Sequence, residues 1–229
     1  MKRWVLWMIL LLSMAWAQNP TAVGKLVDEG KFQEAYEAGL RLGSAEGLVL
    51  AARAASYFAG YLAKDSEKAE WFGRAEAAAR QAIQADSSNP EAYFELARAQ
   101  GRLSQYRGIL ESLGLASSIK ENLDRALRLN PRHAGAKVAL ALWHHSLVSK
   151  NVGWLYGASG SQVMPLFNEA IQLEPQTIIH RVELAGVLAA QGKKEEARKQ
   201  YEAALALSPK TAADRYDLER ARRELSALR

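Results

Sequence analysis

The chain has 229 residues, 49% hydrophobic and 24% charged, which is globular composition and enough length to bury a core without staples. Its formal charge of +5 falls to 28 basic against 25 acidic residues once Lys2 and Arg3 are set aside. That excess is too small, and too evenly interleaved with glutamate at helical spacing, to argue for nucleic acid. Cysteine is absent, so disulfides, thiolate metal sites, cysteine nucleophiles and a lipoprotein anchor are all excluded.

The N-terminus reads as an export signal. Met1, Lys2 and Arg3 precede an apolar run from Trp4 to Trp16 that only Ser13 interrupts, and Ala15 and Ala17 supply an A-x-A site. A spanning helix wants about 20 apolar residues, and Gln18, Asn19 and Pro20 arrive too early for one. Cleavage near Ala17 is therefore predicted, with residues 1–17 the signal and retention as an anchor the alternative. The mature chain is expected to be extracytoplasmic, periplasmic or secreted, with no stable membrane span.

Beyond it, Ala, Leu, Glu, Arg and Gln dominate and alternating β-branched runs are missing, which predicts an all-α chain. Pro90, Pro131, Pro175 and Pro209 close the segments AIQADSSNP, ALRLNP, AIQLEP and ALALSP. Each reads as a helix stop with the next helix beginning immediately after. Their recurrence every 34 to 44 residues implies stacked helix pairs, each with an apolar face buried only by its neighbours.

In GKKEEARKQYEAALALSP, Ala197, Tyr201, Ala204 and Pro209 take small, aromatic, small and proline positions, after Leu184 and Ala185 in the preceding helix. Small residues let paired helices approach while the aromatic fills the gap beside them. This unit resembles a tetratricopeptide repeat. NPEAYFELA, with Tyr93, Leu96 and Ala97, and Leu140 with Ala141, repeat the first-helix pattern. Ala126 and Ala170 repeat the second-helix small position. Leu50 with Ala51, then Ala75, Ala79 and Ala82, give a looser copy, and in EGKFQEAYEAGLRL Gly39 stands where bulk is expected. The resemblance implies a right-handed solenoid of about five helix pairs over residues 18–211 and a polar capping helix over 212–229. Two lengthened units, with excess between Gln105 and Ile119 and between Asn151 and Gln162, together with SIKENLDRAL and ALALWHHSL, resemble the regulator of microtubule dynamics branch. An exported chain has no access to tubulin, so the branch name does not carry its function.

The resemblance further implies a concave groove, lined by the first helix of each pair, that binds a protein or peptide. In that register Glu91, Phe94, Arg98, Gly101 and Arg102 face it, followed by Val138, Leu142 and His145, then Ile179, Val182, Gly186 and Ala189. Arg98 and Arg102, one turn apart, suit an acidic group on a partner or a pairing with Glu91, Glu95 or a neighbouring helix. Val182 and Ile179 suit the groove or the core equally. In NVGWLYGASGSQ, Trp154 and Tyr156 read as a partner anchor or, preferred, a plug for the oversized unit.

No catalytic fingerprint is present, and Ser117 to Lys120 is an S-x-x-K without its companion motifs. His133, His144, His145 and His180 lack chelating spacing, so neither metal nor cofactor is expected. The sequence therefore predicts a non-enzymatic scaffold, with self-association, or a small-molecule carrier or enzyme, as alternatives.

Overall fold

The computed structural model describes residues 19–106 and 109–228. The expected signal segment lies outside them. The described residues contain twelve α-helices and no strand. They are α1 (Pro20–Glu29), α2 (Phe32–Leu42), α3 (Ala45–Tyr57), α4 (Asp65–Ala85), α5 (Pro90–Leu103), α6 (Ile109–Leu129), α7 (Ala134–Ser149), α8 (Gly153–Tyr156), α9 (Val163–Leu173), α10 (Ile178–Ala190), α11 (Lys194–Leu205) and α12 (Ala212–Ala227).

Helix starts follow local chemistry. Pro20 and Pro90 open α1 and α5 behind Asn19 and Asn89, whose side chains accept from Ala22 and Glu91 amides. The other three punctuating prolines, Pro131, Pro175 and Pro209, do not open helices. α7, α10 and α12 begin three residues later, at Ala134, Ile178 and Ala212. A hydrogen-bonded turn intervenes after Pro131, where the Asn130 side chain accepts from Arg132 N–H and His133 becomes the N-cap. Thr211 and Asp214 cap α12 reciprocally.

Five antiparallel pairs result: α1/α2, α3/α4, α5/α6, α7/α9 and α10/α11. Alanine sets the spacing, with Ala51, Ala52, Ala54, Ala55, Ala75, Ala79 and Ala82 fully buried between α3, α4 and their neighbours. Gly39 is explained the same way: a Cβ there would come within 2.4 Å of the Gly47 carbonyl, so α2 and α3 cross closer than any bulk allows. Phe32, Leu123, Phe167 and Tyr201 fill the wider gaps and are fully buried. Each such burial contributes roughly 1.5–3 kcal/mol.

The first helices form an inner row in which α1, α3, α5, α7, α10 and α12 each touch the next, and α12 then touches α1. The array closes on itself. Ala212 packs in the cluster of Val23, Val27 and Phe32, beside Tyr61 and Tyr216. Gly30, at φ 84°, makes this approach possible: it ends α1 in the left-handed region, and a Cβ there would lie 2.8 Å from Ala212 Cβ.

Of the two lengthened units, the first spends its excess on α6, which reaches 21 residues. The second folds back as α8 and the short helical turn Gly160–Gln162. The Ser159 amide donates to His144 Nδ1 at 3.0 Å, which pins this connection to α7, and α7 is in turn held to α6 where Trp143 Nε1 donates to the Ala116 carbonyl at 2.8 Å.

Candidate functional site

The inner row is the surface on which a tetratricopeptide array would hold a partner, and here it is filled by the chain's own side chains. α3 presents Arg53 and Tyr57 along one face, and the π-helical turn Phe58–Leu62 that continues it carries Tyr61. Arg53 Nε donates to Glu95 at 2.9 Å and its Nη2 to Glu91 at 2.7 Å. Glu95 is fully buried and also pairs with Arg98. Burial works against the Arg53 charge, but Glu95, Tyr57 and Glu91 outweigh it and hold the guanidinium firmly protonated.

Further round the ring, Arg102 of α5 reaches past α7 to Glu183 of α10 at 3.2 Å. Arg220 of α12 grips the same carboxylate from the other side with contacts of 3.0 and 3.3 Å. Burial disfavours ionised Glu183, yet the Arg102 and Arg220 guanidiniums together hold its carboxyl below the usual range. α12 is tied on by two more contacts to the last pair: Tyr201 donates to Glu224 at 2.6 Å, and Arg198 donates to the Leu228 carbonyl.

At the seam between the two ends, the Tyr61 hydroxyl donates to Asp217 Oδ1 at 2.9 Å, and the Tyr61 and Tyr216 rings stack with centroids 5.1 Å apart. Phe32 lies 6.4 Å from Tyr216. Asp217 is 3% exposed. Burial raises its carboxyl from 3.8 to about 7, opposed by the Tyr61 hydrogen bond and by Arg220, and assisted by Glu183 and Asp214. Burial and the facing Asp217 also push the Tyr61 phenol well up.

The residues expected along a groove are distributed as follows. Arg98 sits over the Tyr57 ring at 4.8 Å and the Phe94 ring at 5.6 Å, so it is committed within the chain. Phe94 packs on His133, centroids 4.7 Å apart. Val182 is fully buried and Leu142 packs partly buried against the same core, which the adjacent pairs α7/α9 and α10/α11 share. His145 is half-buried, which lowers its pKa. Tyr156 packs partly buried against the cluster around Trp143, whereas Trp154 is 80% exposed with Leu155 beside it. The connection thus splits its two aromatics between plug and free surface.

The histidines reveal two pairings that spacing arguments miss: His180 Nε2 lies 3.0 Å from Glu174 Oε2, six residues earlier across the turn at Pro175. His133 Nε2 is 3.1 Å from Glu91. Among the described residues no three His, Asp or Glu converge as a metal site.

A cleft of about 240 Å³ lies at the seam, lined by Gly24, Val27 and Asp28 of α1, Leu50, Arg53 and Tyr57 of α3, and Thr211 and Ala213 at the head of α12. No helix among the described residues is long and apolar enough to cross a membrane.

Five antiparallel pairs with alanine at the crossing points and Phe32, Leu123, Phe167 and Tyr201 in the gaps, stacked in one superhelix, define a tetratricopeptide-type solenoid. The chain belongs to the regulator of microtubule dynamics protein 1-3 family, whose model matches residues 22–229. By structure it is similar to TTC0263, a thermophilic tetratricopeptide protein of Thermus thermophilus. That superposition has a TM-score of 0.68 at 21% identity, covering 90% of this chain and 98% of that one. PilF of Pseudomonas aeruginosa superposes with a TM-score of 0.47 at 15% identity, over 91% of this chain and 86% of its own. MamA gives 0.44 at 19% identity, over 77% and 88%. The fold assignment rests on the first. No curated protein matches the chain by sequence.

Proposed function

We propose that this chain is an exported, non-enzymatic scaffold that holds a segment of a partner protein where the inner face reaches solvent, in the seam cleft. The observation that carries this reading is the cleft's lining: Tyr57, Leu50 and Val27 form an apolar wall, and Arg53, Asp28 and Thr211 supply polar contacts. Aromatic and arginine side chains are the residues that anchor protein interfaces. At about 240 Å³ the cleft is smaller than most small-molecule sites. It fits one or two side chains of a protein segment.

The carboxylates of the inner face favour a non-catalytic role, because Glu91, Glu95, Glu183 and Asp217 each have a partner inside the chain. Export rests on the basic start, apolar run and A-x-A pattern of residues 1–17.

Gly24 provides the test. It lines the cleft, and a Cβ there meets nothing within 4 Å, so Gly24→Leu fills the opening while improving the propensity of α1. The full chain, tagged at its C-terminus, is recovered from the cell envelope after mild crosslinking beside this variant. A protein captured by the wild type and lost from Gly24→Leu supports the reading and identifies the partner. Equal capture by both chains places the partner elsewhere. Intact mass of the recovered chain checks the export signal, with a mature N-terminus at Gln18 expected.

A further inference from the structure

We infer that the seam is an exchangeable joint, and that α12 of one molecule takes the seat on α1 and α3 of a second copy, joining two opened rings end to end. This goes beyond the partner reading above and rests on different residues.

The two ends of a solenoid are normally finished by polar caps, since each exposes the face its next neighbour would cover. Here each end covers the other. The seat consists of Val23, Val27, Phe32 and Tyr61, and the group that fills it is Ala212, Tyr216 and Asp217. Every further copy of the chain carries both halves of this match, so the partner the seat fits best is the same segment of another molecule. A contact between unlike surfaces of one chain closes within the molecule, or joins copies head to tail into a closed ring or an open chain.

Opening would occur at the seam and not between α12 and the last pair. Against α10 and α11, α12 buries Leu218 and Ala221, adds Leu225 and Leu228 at the edge, and holds Glu183, Tyr201 and Arg198 through hydrogen bonds. Against the first two pairs its apolar contacts are those of Ala212 and Tyr216, with a hydrogen bond from Tyr61 to Asp217. Packing along the seam is also incomplete, because a cleft runs along it.

The backbone at the seat is irregular in the same place. The π-turn Phe58–Leu62 carries Tyr61, and such single turns recur where a helix is shaped for contact. Closure within one molecule benefits from a high effective concentration of the two ends, so monomer dominates in dilute solution and exchange grows with protein concentration.

The test uses two variants of the full chain that each lose one half of the match. Tyr61→Glu spoils the seat and leaves α12 intact; Tyr216→Glu spoils α12 and leaves the seat intact. Neither can close on itself, but the intact α12 of the first fits the intact seat of the second. Light scattering on each variant alone is expected to give monomer, and the equimolar mixture a 1:1 species of twice the mass. Circular dichroism checks that helix content is kept before mixing. Monomer alone and in the mixture overturns the inference. If a glutamate variant loses helix content, the milder pair Tyr61→Ala and Tyr216→Ala repeats the mixing, and monomer throughout overturns it equally.

Discussion

Tyr61 and Asp217 are 156 residues apart in the chain and joined by a 2.9 Å hydrogen bond, which ties the end of the second helix pair's inner helix to the middle of the last helix. Removing the hydroxyl by Tyr61→Phe keeps the ring stack on Tyr216 and leaves a buried carboxyl without its donor. The expected cost is about 1–2 kcal/mol at pH 8, read by urea denaturation.

The same pair sets a pH dependence with a definite sign. Asp217 has its carboxyl raised from 3.8 to about 7, so the folded chain holds a proton that the unfolded chain has released between those values. Its contribution to stability is therefore intact below about pH 4, declines as pH rises, and reaches its full deficit above about pH 7. Asp217→Asn removes this deficit, so relative to wild type the variant is expected to gain little at pH 4 and about 2–4 kcal/mol at pH 8. Glu183, whose carboxyl is held low, gives the opposite slope in both proteins, losing stability as pH falls. The difference between the two melting curves isolates Asp217.

Glu183→Ala leaves Arg102 and Arg220 facing each other with no anion between them. Because Arg220 is largely buried and Arg102 about half exposed, the expected loss is about 3 kcal/mol. Arg102→Ala, which removes the more solvated arm, costs about 1 kcal/mol. A charge reversal at Arg98 or Arg102 tests the integrity of the ring before it tests any partner contact.

Trp154 and Phe167 predict opposite outcomes for two aromatic deletions in one lengthened unit. Trp154→Ala is expected to change stability by no more than about 0.5 kcal/mol, since its side chain stands in solvent. Phe167→Ala opens a cavity in the largest core cluster and costs about 3–5 kcal/mol. Thermal unfolding of the two variants distinguishes them directly.

The pairs themselves are legible in the sequence because each depends on neighbours within about 40 residues: alanine at the crossing points, Tyr201 in the gap, proline at the breaks. Closure is not legible, because it follows from the small rotation accumulated over five pairs, and its contacts join Tyr61 to Asp217 and Gly30 to Ala212. That is why α12 reads as a polar cap. Val182 suits groove and core equally in the repeat register, and it lies in the core that the adjacent pairs α7/α9 and α10/α11 share. A signal was present in the row Ala213, Asp217, Arg220 and Glu224, which recurs at helical spacing and meets three different helices. Gly39 reads as a defect when only the repeat pattern is considered and becomes a requirement once α3 is seen crossing it.

The return of α12 to α1 changes how such an array is made. An open solenoid is held by contacts between adjacent repeats and can form progressively from one end as the chain emerges. In this molecule the first pair keeps an uncovered face until the last helix has been delivered. Its final stability arrives in a single late step, and hydrogen exchange in α1 should report on the docking of a helix almost two hundred residues downstream.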